Sequence, residues 1–556
     1  MRGNNHHRPT GARRGGAVHV CDARTMRVRV RAIDVDGASA PPATTSRPKM
    51  TTTTTTTTTS AKLPYESFDS WEDGDLGAGF EEEDQHAGTV AGVVALIVGS
   101  TVGAGVLALP TATAAAGILP SSGALLGIWT LLLSDALLLA EVNVALMRER
   151  DEDRLYHGRG HSPVVISLSD MAAATLGEEG KLFTSSLYTF MSLTVLIAYI
   201  SKASDILSSA TGLDVSTAAA IFTVGLGGTL CVGGSKVADK LNQALTYGLL
   251  AMFSLLVLSG AFYADWDSAS WIGSVDAVPS TIPIIFLTLV FHDLVPVVCT
   301  YLNGDLKKVR RGILIGSTIP LGMFLAWNAV ALALVDGKIG ADPLKIISED
   351  VGGAATVLLS AFGLSAIGTS FIGTSLGLSE YLMPKIDDMI QNMDESKEKS
   401  PLVRRLYGAM DVYEGKKASF LPSTKRVVAF TSMLAVPLFV AQTFPDIFLP
   451  VSTFVGAYGM TLMYGVMPPL MAWKMREQSD LHGVCETKQP SFWHCKITEL
   501  LPGGQLALSA LSASAVAIAA SKIHDDFTHA IGTADVNDVP VAVGLQAVTE
   551  VANVLN

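Results

Sequence analysis

The chain is poor in charge. Only 16% of its 556 residues are Asp, Glu, Lys or Arg, against about 25% in soluble domains. That leaves too little polar surface to clothe the three or four soluble domains that the length would otherwise suggest. Cysteines number five (Cys21, Cys231, Cys299, Cys485 and Cys495), too few and too scattered for a disulfide framework. Cys231 and Cys299 lie inside apolar runs, where they read as small hydrophobes. No basic stripe crosses the body of the chain and the net charge is −12, which argues against nucleic acid as a partner. Walker, HExxH and GxSxG elements are missing where they could serve chemistry, so ATP-driven transport is not expected. His482, Cys485, His494 and Cys495 match no zinc-finger spacing, so neither metal nor cofactor is expected.

What the sequence does have is apolar runs of membrane-crossing length. Mean hydropathy is +0.40. Blocks of about twenty apolar residues alternate with polar connections, so lipid is the expected surrounding. The runs predict eleven spans: 88–109, 122–146, 182–206, 216–234, 241–263, 280–302, 312–335, 354–382, 427–442, 448–473 and 504–520. The fold class is therefore an all-α polytopic membrane protein, with a transmembrane domain over 88–521 and a tail over 522–556.

The ends differ from this body. Residues 1–60 carry ten Lys/Arg against Asp22, Asp34 and Asp36, a charge of +7, and include nine consecutive threonines, Thr51–Thr59. An Arg-rich, hydroxyl-rich, acid-poor leader has the profile of an organellar transit peptide; a plain disordered tail is the alternative. A plastid is favoured over a mitochondrion, with the inner envelope as the membrane. Residues 61–87 reverse the sign, nine acids facing only Lys62, and read as a disordered acidic lead-in.

Lysine and arginine test the span assignment. With the N-terminus inside (the stroma, for a plastid protein), the loops on that side and Lys62 hold 25 basic residues. Only Lys202, Lys338, Lys345 and Lys522 fall on the other side or in the outer half of a span. A 25:4 split follows the positive-inside rule.

Lipid offers the backbone no hydrogen-bond partners, so glycine, proline and charge inside a span need a reason. The first span carries Gly99, Gly103 and Gly105 at mid-depth, with Pro110 beyond them. Each glycine weakens a helix by about 1 kcal/mol relative to Ala and lets a ligand approach the backbone; tight helix packing is the alternative. The sixth span carries Phe291-His292-Asp293 followed by Pro296. An ionisable pair at mid-membrane is costly and points to function, unless it lies near a wet helix end. Pro296 is expected to leave the His292 carbonyl without its helical partner. If spans one to five and six to ten are repeats, the two interruptions correspond, which points to a midplane site in an inverted-repeat transporter. Amides near Gly103–Gly105 would hold a carboxylate at a half-helix terminus. Asp293 would take an ammonium group, with His292 as a proton-sensitive neighbour.

The segment Gly99-Ser-Thr-Val-Gly-Ala-Gly-Val-Leu-Ala-Leu-Pro110 resembles the first-span motif of the hydroxy and aromatic amino acid permeases. Leu137-Leu-Leu-Ala-Glu-Val-Asn143, Phe291-His-Asp-Leu-Val-Pro296 and Gly368-Thr-Ser-Phe-Ile-Gly-Thr-Ser-Leu-Gly-Leu378 are similar to their second, sixth and eighth spans. The plant and algal plastid-targeted members are especially similar, over about 88–520. The resemblance implies an eleven-span, five-plus-five inverted repeat with broken helices 1 and 6, in the amino acid–polyamine–organocation superfamily. It implies proton-driven transport of tyrosine, tryptophan or related amino acids. Ser100, Thr101, Gly103, Ala104 and Gly105 would line the carboxylate site, with Phe291, His292 and Asp293 opposite.

The coupling ion has two readings. Glu141 matches a family acid and could pair or relay protons, and Asp135 lies less than two turns away, either as a second such site or facing water. Thr369, Ser370 and Thr374 sit where superfamily relatives hold sodium; hydroxyl-to-backbone bonding within the helix explains them equally well. The fifth span lacks the lysine that several proton-coupled relatives carry there. A sodium-coupled neutral amino acid transporter is therefore the alternative within the class. From other classes come a non-transporting amino acid sensor and a polytopic enzyme using His292 and Asp293 as an acid–base pair.

Overall fold

The computed structural model describes residues 88–156, 165–334, 353–396, 422–444, 446–482, 499–501 and 503–532. The expected leader and acidic lead-in, the loop residues 397–421, the last part of the tail, and Cys485, His494 and Cys495 lie outside these residues. Two units divide the chain, Met1–Tyr65 and Glu66–Asn556, and every described residue belongs to the second.

Every regular element among the described residues is helical. In chain order they are α1 Val90–Thr101, α2 Gly105–Thr113, α3 Ile118–Tyr156, α4 Leu168–Thr211 and α5 Val215–Tyr263. Then come α6 Val278–Leu289, α7 Val295–Tyr301, α8 Leu306–Leu334 and α9 Gly353–Ser396. The last are α10 Thr424–Thr443, α11 Phe448–Phe454, a π-helical stretch Val455–Val466, α12 Met467–His482 and α13 Gly504–Gly532. Among the described residues nine stretches are long and apolar enough to cross a membrane, ten if the bent pair α1–α2 counts as one. The molecule is an all-helical, multi-pass membrane protein.

Local chemistry sets several boundaries. Ser167 and Asp170 form a reciprocal capping box at the start of α4. The helix thus begins well before 182, and only the positive φ of Gly177 kinks it. The connection expected at 235–240 is a tight break at Gly234, φ 64°, between two membrane-length stretches of α5, Val215–Gly234 and Val237–Tyr263. Asp214 caps α5 by accepting from the Thr217 amide at 2.9 Å, a bond that holds its carboxyl below the usual range. The tenth expected span is helical throughout but passes from α to π and back, in pieces of 7, 12 and 16 residues. The helix of the last expected span continues to Gly532.

Lipid is as apolar as leucine, so these helices associate through close packing and polar contacts. Gly312 and Gly316, one turn apart on α8, face Val93 and Ile97 of α1. A Cβ at those glycines would lie 2.6 Å from Val93 and 2.9 Å from Ile97, so any side chain there would push the helices apart. One group of helices joins α1, α2, α3, α6 and α8; another joins α4, α5, α9 and α10. The π stretch and α12 pack on α3, α4, α6 and α13.

Two fastenings tie the first and sixth spans at their ends. On the inner side the Gly88 amide donates to the Tyr301 carbonyl at 2.8 Å. On the outer side, Ile118 and Leu119 amides donate to Ser270 and Trp271 carbonyls, and Gly273 and Ser274 amides to Ala116 and Ala115 carbonyls. Gly117, at φ 82°, lets the strands approach; a Cβ there would lie 2.5 Å from the Gly273 nitrogen.

Candidate functional site

Two interrupted helices meet at mid-depth. The first interruption spans Val102–Ala104, and α1 and α2 bend by 59° across it. Ser370 of α9 fills the gap: its hydroxyl accepts from the Ala104 amide at 3.0 Å and donates to the Ala366 carbonyl at 3.1 Å. A Cβ at Gly103 would fall on that hydroxyl. On the other flank Thr288 of α6 donates to the Gly105 carbonyl at 3.2 Å, and a Cβ at Gly105 would lie 2.9 Å from the Thr288 Cα. The glycines are therefore there for close approach. At the start of α2 the Val106 and Leu107 amides bond to the Gly103 and Ala104 carbonyls at 3.2 and 3.1 Å, and the Ala104 amide bonds to Ser370, so the turn closes on itself and on α9.

The second interruption lies at Val290 and Phe291, where the backbone leaves the helical region before a single turn of 3₁₀ helix over His292–Leu294. Pro296 does not make it. The proline stands in the first turn of α7, where its missing N–H costs nothing. The sequence expectation of a proline break after His292 is corrected accordingly: the helix has already ended before residue 290.

Asp293 is exposed, unlike its buried neighbours Phe291 and His292. It accepts a hydrogen bond from the Tyr464 hydroxyl in the π stretch. The Tyr464 ring is fully buried and stacks on His292 at 5.2 Å between centroids. Phe291 packs on the other side of His292, also at 5.2 Å. Tyr188 and Tyr199 of α4 are near enough to Asp293 to feel its charge. Tyr199 also lies near Thr374 and Ser370, the residue that fills the first break.

The structure thus brings together Gly103, Ala104, Gly105, Ser370, Thr374, Phe291, His292 and Asp293. Ser100 is exposed on α1. Thr101 turns its hydroxyl onto the Ile97 carbonyl of its own helix at 2.7 Å. Thr369 does the same with Ala366 at 3.0 Å, the ordinary fate of a hydroxyl in an apolar helix. Sequence reasoning missed Tyr188, Tyr199, Tyr464 and Thr288. The signal for the tyrosines was their polar tip, which needs a partner wherever the ring is buried in an apolar span.

The two acids of α3 have opposite surroundings. Glu141 takes a bidentate ion pair from Arg476 of α12, at 2.7 and 2.8 Å, and the Leu500 amide at 2.9 Å. Arg476 also donates to Glu499 and to the Leu501 carbonyl, each at 3.4 Å. Removing one partner of such a buried pair costs about 3–5 kcal/mol, so this cluster fastens α3, α12 and the approach to α13. Asp135 is completely buried, and neither carboxylate oxygen has a hydrogen-bond partner among the described residues.

The profile of the tryptophan/tyrosine permease family matches residues 86–485. The chain is 31% identical over 244 residues to tyrosine-specific transport system 2 of Haemophilus influenzae, covering 43% of this chain and 56% of that protein. It is 25% identical over 244 residues to glutamine transporter 2 of Aliivibrio fischeri, covering 42% and 58%. The chain thus spans somewhat over half the length of these curated relatives. A solved structure, the inward-facing conformation of Mhp1, aligns over 85% of this chain and 92% of that one, at 14% identity and a TM-score of 0.45.

Proposed function

Because the chain belongs to the tryptophan/tyrosine permease family, a transporter family and not an enzyme family, we propose that it is a secondary active transporter of aromatic amino acids, tyrosine or tryptophan. The observation that carries this reading is the meeting of two broken helices, one ending in amides and the other in an accessible carboxylate. A zwitterion fits between them. Its carboxylate would lie at Gly103, Ala104 and Gly105, with Ser100 and Thr101 at the approach. Its ammonium group would lie at Asp293, beside Phe291 and His292. Tyr188, Tyr199 and Tyr464 supply aromatic surface around that position, in keeping with an aromatic side chain.

Eleven spans follow if the helical stretch Phe448–His482 crosses the membrane as one. Spans one to five and six to ten then form two inverted repeats, and rocking of one group of helices against the other alternates access. The proton is the coupling ion in this reading, and the plastid inner envelope the location. The +7 leader and the inward bias of basic residues support that location and orientation.

The test is counterflow in proteoliposomes with a panel of amino acids. Tyrosine, tryptophan and phenylalanine should compete best for labelled tyrosine. Better competition by glutamine or by charged amino acids would replace the aromatic assignment. Dependence on sodium at constant pH would favour the sodium-coupled alternative, in which Thr369, Ser370 and Thr374 hold the ion.

A further inference from the structure

Two ionisable groups are fully buried in the bundle, and only one of them belongs to the substrate site. Asp135 has 0% exposure and His292 has 0% exposure. Neither the Asp135 oxygens nor the His292 ring nitrogens reach a hydrogen-bond partner among the described residues. The His292 ring faces the backbone of Leu132. Leu132 lies three residues before Asp135 on α3, on the same helix face. Helical side chains lean toward the N-terminus, so the Asp135 carboxyl lies over the turn that contains Leu132. The two groups thus look onto one patch of the interface between α3 and the break before α7.

The surroundings give this carboxyl no counter-charge. From the sixth span come His292 and Asp293, and Asp293 is taken by Tyr464. From the π stretch and α12 come Tyr464 and Arg476, and Arg476 is taken by Glu141. The basic residues of α8, namely Lys307, Lys308, Arg310 and Arg311, stand at its inner end. On α4 the nearest acid by sequence is Asp170, in the capping box at the helix start. Among the described residues no hydrogen bond or salt bridge reaches the Asp135 carboxyl.

We propose that Asp135 carries the coupled proton, on α3 and apart from the amino acid site, with His292 as the polar group across the interface from it. The proposal deepens the transport reading and rests on it. An ionised carboxylate closed into this packing would be a bare charge in an apolar, lipid-surrounded interior, which proteins avoid by neutralising the group. The packed arrangement of α3 against the sixth span therefore forms only with the proton aboard. Opening of that interface to water releases the proton. A conformational change that requires the neutral acid is what ties proton movement to substrate movement. Glu141 differs from Asp135 in being fastened, with three hydrogen bonds from Arg476 and Leu500 on its two oxygens.

The experiment compares native protein, Asp135→Asn and Asp135→Glu in proteoliposomes, with tyrosine counterflow and pH-gradient-driven tyrosine accumulation as separate readouts. Exchange needs no net proton movement. Asp135→Asn should keep counterflow within about threefold of native and lose gradient-driven accumulation at least tenfold, while Asp135→Glu recovers part of it. Thermal unfolding of Asp135→Asn should occur at or above the native temperature, since the carboxyl has no bond to lose. Native-like accumulation by Asp135→Asn, or loss of its counterflow together with a lower unfolding temperature, overturns the proposal. Native protein that accumulates tyrosine without regard to the pH gradient also overturns it. Native protein without counterflow for any amino acid overturns the transport reading instead.

Discussion

The two interrupted helices are broken by different means. In the first span the break is made by what is missing: Gly103 and Gly105 have no side chains, and Ser370 and Thr288 occupy the space from either side. In the sixth span the break is made by what is present: Phe291 and His292 are buried, and Asp293 is exposed. The first break offers main-chain donors, whose charge is fixed and partial. The second offers a carboxyl group that accepts from one phenol. The pair is thus polarised: one end suits a carboxylate and the other an ammonium group, with the spacing set by the helices that carry them.

The strongest way to break this comparison is at the charged end. Asp293→Asn keeps the shape and removes the charge, and saturable uptake should fall at least a hundredfold with normal amounts of protein in the membrane. Uptake kinetics in membranes matched for protein content decide it; native KM and kcat in that variant would detach Asp293 from the substrate.

At the uncharged end the effect should be smaller and repairable. Gly103→Ala places a methyl group on the Ser370 hydroxyl. Overpacking of this kind costs about 1–3 kcal/mol, so substrate affinity should fall by roughly one to two powers of ten. Ser370→Ala removes the obstructing oxygen. The double variant should therefore bind better than the two single losses combined, as a double-mutant cycle would register for touching residues. Strict additivity would mean that the two do not share the gap.

The smallest effect is expected at Thr369, whose hydroxyl is spent on its own helix. Thr369→Ala should change uptake by less than about twofold at any sodium concentration, since a neutral intrahelical bond contributes only about 0.5–1.5 kcal/mol. A sodium-dependent collapse of uptake in that variant would show that the first break holds a cation as well as an anion.

Sequence legibility differed between the two ends in the same way. Charge and glycine are visible one residue at a time, so the existence of both breaks, and Asp293 itself, could be read without coordinates. Nine or ten of the eleven expected spans followed from the length of apolar runs. What could not be read depends on partners distant in the chain. Ser370 meets Ala104 across 266 residues and Arg476 meets Glu141 across 335; no local pattern specifies either. Asp135 and Glu141 look alike in the sequence, and only the third dimension separates a fastened acid from a lone one. Pro296 misled because proline's effect depends on its place in the helix, and a first-turn proline is harmless. The start of α4 was in reach: Ser167 and Asp170 carry the capping-box spacing.

The outer fastening has a mechanical consequence. The turn before α3 and the chain before α6 are laced by main-chain bonds, at Ala115, Ala116, Ile118 and Leu119 on one side and Ser270, Trp271, Gly273 and Ser274 on the other, and by packing of Ile118 with Ala269. A tilt of α2 must carry α6 along. In the transport reading, the mouth on this side would work as a door with a single leaf: two half-helices on one hinge plate, swung together.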